Sequence, residues 1–155
     1  MLNIQIKNTT ADDIPALSTI VDQTGLFPSE MLPDMLRPYL DNISGSLWFT
    51  AFQDGRPVGL CYATSEALTN GTWNMLAIAV DPGLQGRGIG AALVEQLENE
   101  LIIFGVRILI VDTSGSSEFD LTRQFYLKNG YDQEARIRDF WGAGDDKVIF
   151  RKALQ

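Results

Sequence analysis

The chain has 155 residues, of which 45% are hydrophobic and 21% charged, enough for one globular domain (1–155) with a sizeable core. A net charge of −8 argues against nucleic acid as a partner, because a polyanion needs a basic footprint. The chain contains no histidine, which removes the commonest general base and metal ligand, and a single cysteine excludes both a zinc site and an internal disulfide.

Leu2, Ile4 and Ile6 alternate with Asn3, Gln5 and Lys7, predicting a strand with one buried face. No basic region followed by an apolar one opens the chain, so no signal peptide is expected. No apolar run approaches bilayer length, so no membrane partner is expected either. With one cysteine, a reducing cytoplasm is the expected compartment. Thr10 to Asp13 is a capping signal, and Ile14, Leu17, Ile20 and Val21 follow at helical spacing until Gly25. A second helical stretch, Ser29 to Asp41, carries Pro33 and Pro38 and should be short, kinked or in two pieces. Ser46 to Gln53 and Arg56 to Thr64 flank Asp54-Gly55, a strong hairpin signal. Cys61 lies inside the second of these strands and reads as a small buried apolar residue.

The stretch Leu76 to Val94 organises the rest. Leu76 to Val80 is an apolar run expected to be buried on both faces, and Asp81-Pro82-Gly83 stops it. Gly86, Gly88 and Gly90 then crowd the start of a helix whose Ile89, Leu93, Leu97 and Leu101 lie one turn apart. Glycines there leave the first N–H groups uncovered, and with the positive end of the helix dipole they form a phosphate cradle. Gly86 to Ala91 also fits G-x-G-x-x-A, with Asp112 downstream at the end of an apolar strand, Val106 to Val111. A dinucleotide fold is excluded on three counts. Asp81 to Gln85 separate strand from glycines, the motif sits mid-chain, and no P-loop lysine follows. Beyond the small polar segment Thr113 to Ser117, a helix is expected from about Glu118 to Asn129. Two strands, Tyr131 to Phe140 and Lys147 to Ala153, then close the chain around a connection from Trp141 to Asp146.

Gln85-Gly86-Arg87-Gly88-Ile89-Gly90, after a strand ending in Val-Asp-Pro, resembles the acyl-CoA pyrophosphate loop of the GNAT superfamily of N-acetyltransferases. Arg123 to Tyr131, with Phe125-Tyr126 before Gly130-Tyr131, resembles the second signature of that family. The resemblance covers roughly residues 71 to 135. It implies an α+β fold: a mixed, mostly antiparallel sheet flanked by helices. Its one parallel pair, Leu76–Val80 with Val106–Val111, splays apart around the CoA arm. It further implies acetyl-CoA as cosubstrate, held by Gln85, Gly86, Arg87, Gly88, Ile89, Gly90 and Ala91. The backbone N–H of Ile78 would face the oxyanion, with Ala79 and Val80 lining the pantetheine arm. Tyr126 matches the tyrosine that protonates the leaving thiolate, a task suited to a phenol of ordinary pKa near 10. Where the family often carries a pantetheine-binding asparagine the chain has Phe119, so Ser114, Ser116 or Ser117 would have to supply that contact.

Without histidine, a carboxylate or a water chain must take the proton of the amine. Glu66, at the end of the strand beside the central one, is the first choice and Asp112 the second. Asp145, Asp146 and Trp141 form a candidate rim for a cationic acceptor, and Trp73 is a candidate wall residue. The expected function is transfer of an acetyl group to a primary amine of a small molecule or peptide. A silent acyl-CoA-binding or sensing domain, or the same fold with a longer acyl-CoA, are the alternatives. The acceptor is not legible, and a homodimer stays open.

Overall fold

The computed structural model describes residues 3–155, so Leu2 lies outside it. The elements run in the expected order: strand β1 (Ile4–Asn8), helices α1 (Ile14–Thr24) and α2 (Leu32–Leu40), then strands β2 (Ser46–Gln53), β3 (Arg56–Ser65) and β4 (Thr72–Val80). Helix α3 (Ile89–Ile103), strand β5 (Ile108–Ser114), helix α4 (Asp120–Lys128) and strands β6 (Asp132–Gly142) and β7 (Asp145–Ala153) complete the α+β fold. The sheet order is β1-β2-β3-β4-β5-β7-β6. Every recorded pairing is antiparallel except that of β4 with β5. The chain packs as two compact units that divide β4 between Met75 and Leu76.

The first unit runs through Thr64 and resumes over Leu76–Glu100. Its β2–β3 hairpin closes through Asp54 and Gly55 at φ 50° and 81°, the pair of positive φ angles that a type I′ turn requires. Gly25 ends α1 at φ 66°. Pro33 sits in the first turn of α2, where its missing N–H costs nothing, and Pro38 falls in the last turn, so the expected interruption becomes a short helix entered from a 3-10 turn, Ser29–Met31. Leu17, Ile20 and Val21 of α1 and Leu32 and Leu36 of α2 share one core cluster with Trp48, Leu60 and Ala79. Each buried leucine or isoleucine there contributes about 1.5–3 kcal/mol of transfer free energy. Trp48 stacks on Tyr62 with centroids 4.1 Å apart.

The second unit comprises Ser65–Met75 and Leu101–Gln155. Here β5 pairs in parallel with β4 from Thr72↔Ile108 to Met75↔Val111, and antiparallel with β7 along its whole length. Tyr126 of α4 is buried among Phe125, Tyr131 and Phe150, with ring centroids 5.3 to 5.7 Å away. Strand β6 is an exposed sheet edge, blunted by charges from Asp132 to Asp139.

Four expectations need correction. The parallel register uses Thr72–Met75 rather than Leu76–Val80. The run Leu76–Val80 is not buried on both faces, since Leu76 is 50% exposed while Ala77 and Ala79 are buried. Strand β5 begins at Ile108 and does not end at Asp112, because pairing with β7 carries it through Thr113 and Ser114. The six-residue connection shrinks to Ala143-Gly144, since Trp141, Gly142, Asp145 and Asp146 belong to the strands and Gly142 pairs with Asp145.

Gly59 tests the packing of the first unit. A Cβ there would lie 3.0 Å from the Ala79 carbonyl oxygen, a backbone atom, and 3.3 Å from Leu93 Cδ1. Gly59→Ala recovers roughly 0.5–1 kcal/mol of backbone entropy, while overpacking costs about 1–3 kcal/mol. A net loss of about 1 kcal/mol is expected, read as a Tm lowered by roughly 2–4 °C in thermal unfolding.

Candidate active site

In the first unit, β4 leads into the glycine loop. The Asp81 carboxylate accepts from the Gly83 N–H at 2.9 Å, turning the chain through Pro82–Leu84. The Gln85 side-chain amide donates to the Val80 carbonyl at 3.4 Å, which ties the loop back to the strand. Gly86 and Gly88 stand at φ 79° and 86°, and an added Cβ at either would meet nothing within 4 Å. Only glycine adopts that backbone readily, and the space beside it is open. The first helical bond of α3 runs from the Ala92 N–H to the Gly88 carbonyl, so the N–H groups of Ile89, Gly90 and Ala91 precede the ladder. Buried Ile89 anchors this end while Gly86, Arg87 and Gly88 are exposed. N–H groups that precede the ladder at a helix start suit phosphate oxygens, so Gly86 to Ala91 fit a CoA pyrophosphate.

The chemistry-bearing side chains of the second unit converge on a residue that sequence reasoning passed over. Asn74, 4% exposed in β4, donates its side-chain NH2 to Glu66 Oε1 at 3.0 Å and to Asp112 Oδ2 at 3.3 Å. The two candidate bases are thus brought together by one amide. Lys147 of β7 reaches the same Asp112 oxygen at 3.1 Å, with only 16% of its side chain exposed, and its Nζ lies 4.3 Å from the Phe140 ring centroid. Among the described residues, Asn74 Oδ1 and Asp112 Oδ1 are buried without a hydrogen-bond partner. Each such orphan costs about 1–3 kcal/mol, so the cluster is not arranged for stability alone. The signal for Asn74 was a lone asparagine, a poor strand former, inside the run Thr72–Val80. Nothing in the sequence marked Lys147.

The remaining candidates are placed separately. Tyr126 lies in the aromatic cluster of the second unit, and the cradle lies in the first. Ile78 and Val80 are half-buried in β4, and Ala79 is buried. Trp73, also half-buried, precedes Asn74. The rim carboxylates are both already hydrogen-bonded. Asp145 accepts from the Ser114 hydroxyl at 2.5 Å. Asp146 accepts from the Asp139 N–H and from Arg136, and these two bonds hold its carboxyl below the ordinary value. Trp141 donates its indole N–H to the Thr113 carbonyl at 3.1 Å.

A GNAT acetyltransferase domain model matches residues 44–133. An uncharacterised N-acetyltransferase of Methanocaldococcus jannaschii is 27% identical over 106 residues, 68% of this chain. The match spans 65% of that relative's length. Among solved structures, a GNAT-family protein from Desulfovibrio desulfuricans superposes with a TM-score of 0.89 at 28% identity, over 98% of this chain and 99% of its own. The fold is also that of yncA from Salmonella typhimurium, solved with its cofactor acetyl-CoA, with a TM-score of 0.76 at 15% identity over 98% and 94% of the two chains.

Cys61 separates an inert thiol from a nucleophile. Burial pushes it up to about 12, only partly opposed by a backbone hydrogen bond at Phe49. Little thiolate exists at neutral pH, and the side chain is fully buried. A thiol-reactive probe at pH 8 should leave the native protein unlabelled over minutes and label it fully in denaturant; fast native labelling would restore Cys61 as a candidate nucleophile.

Proposed function

The chain belongs to the GNAT acetyltransferase family, and on that footing we propose that it transfers an acetyl group from acetyl-CoA to a primary amine of a small molecule or peptide, directly and without a covalent enzyme intermediate. The observation that carries this reading is the loop at the start of α3, where Gly86 and Gly88 hold positive φ beside open space. Acetyl-CoA supplies the thioester carbon that the amine attacks. Gln85 to Ala91 hold its pyrophosphate through backbone N–H groups. Ala79 and Val80 line its pantetheine arm, and the backbone N–H of Ile78 faces the developing oxyanion.

The amine must lose a proton before or during attack, and Glu66 is assigned that proton. Asp112 is the poorer candidate because one of its oxygens is already taken by Asn74 and Lys147 and the other is buried. Tyr126 is assigned the opposite transfer, giving its phenolic proton to the leaving thiolate.

Two measurements check this reading. Acetyl-CoA at a hundredfold excess over Kd should stabilise the native protein by about 2.7 kcal/mol. In Gly88→Val, a branched side chain fills the space the phosphates need, and the Tm shift should vanish; an unchanged shift would remove the loop from the site. Glu66→Gln keeps shape but loses charge and basicity. Its kcat/KM toward an amine panel should fall by roughly ten- to a thousandfold, most at low pH and with partial recovery as free amine becomes abundant. A loss confined to KM that shrinks with added salt would make Glu66 a mere attractor of cations.

A further inference from the structure

The groups facing the Asn74 side chain are Glu66 just beyond β3, Asp112 on β5 and, through Asp112, Lys147 on β7. The amide orientation follows from chemistry, since the reverse would set its oxygen against two carboxylate oxygens. Both of its N–H bonds are therefore given to carboxylates, while its own oxygen is buried and unpartnered. Asp112 is equally lopsided. One of its oxygens accepts from Asn74 and Lys147, and the other, also buried, from no described group.

A bond donated to a carboxylate favours its ionised form and fixes its rotamer. Lys147 also holds Asp112, whereas among the described residues the Glu66 carboxylate accepts from the neutral Asn74 amide alone. We propose that Asn74 is a positioning residue, whose side-chain NH2 holds the Glu66 carboxylate in one rotamer beside the Asp112–Lys147 pair. The proposal rests on the reading of Glu66 as proton acceptor.

The test reads the Glu66 side-chain rotamer by NMR scalar couplings, together with kcat and KM toward the amine panel, in the wild type, in Asn74→Leu, which keeps the volume without the donor, and in Asn74→Ser, which is smaller and donates at most one bond. Glu66 should hold one rotamer in the wild type and average over several in Asn74→Leu, with Asn74→Ser between them. In Asn74→Leu kcat should fall by roughly tenfold while KM for acetyl-CoA stays put. Should Asn74→Leu fail to fold, Asn74→Ser carries the comparison. Unchanged Glu66 rotamers in folded variants would reduce Asn74 to packing. A released Glu66 with unchanged kcat would also overturn the proposal, because Glu66 would then not be the proton acceptor. If the wild type acetylates no amine yet the rotamers move, the positioning role of Asn74 stands and the acetyltransfer reading falls.

Discussion

Strand β4 is the element from which everything else takes its position. Its parallel register with β5 closes at Met75↔Val111, yet the strand runs five residues further, to Val80. A β-strand alternates its side chains and spends its backbone groups on neighbours, so what each half of β4 does depends on what flanks it. The first half sets Asn74 between carboxylates from two neighbouring elements. The second half delivers the chain to Asp81, whose Asx turn swings it into the glycine loop and α3. A one-residue slip in this strand would exchange buried Asn74 for Trp73 or Met75 and dissolve the carboxylate bridge while leaving the loop composition intact.

Punctuation was the legible part of the fold. Gly25 and Asp54-Gly55 were readable because each occupies a backbone conformation that its chemistry permits and most residues avoid, and all three positions have positive φ. The buried faces of α1 and α3 were readable from 3.6-residue spacing. What failed was decided by pairing between distant segments. Asp112, Thr113 and Ser114 look like the start of a loop, but β7 pairs with them residue for residue and keeps them in the sheet. Trp141 and Asp145 look like parts of a long connection for the same reason. Local composition carries no record of which strand will arrive alongside.

The candidate residues divide along the same line. The glycine loop of the first unit is a contiguous stretch, and contiguous stretches can be read. The polar cluster of the second unit draws on positions 66, 74, 112 and 147, which only the sheet brings together. Glu66 and Asp112 stood out as carboxylates at apparent strand ends. Asn74 did not, because one amide in an apolar strand signals nothing until its partners are known.

The charges of this cluster bear on how a chain without histidine manages a proton. Glu66 and Asp112 bring two negative charges and Lys147 one positive, so the group keeps a net charge of −1 when all three are ionised. Two unit charges 4 Å apart interact by about 4 kcal/mol at the effective dielectric of a protein surface. Under the proposed function, one uncompensated carboxylate is thus enough to draw an alkylammonium group and then to accept its proton. A second lysine in place of Asn74 would cancel the attraction for the acceptor. A neutral amide orients the Glu66 carboxylate without that cancelling. Under the proposed function, this difference favours an asparagine at this buried position in spite of the oxygen it leaves unpaired.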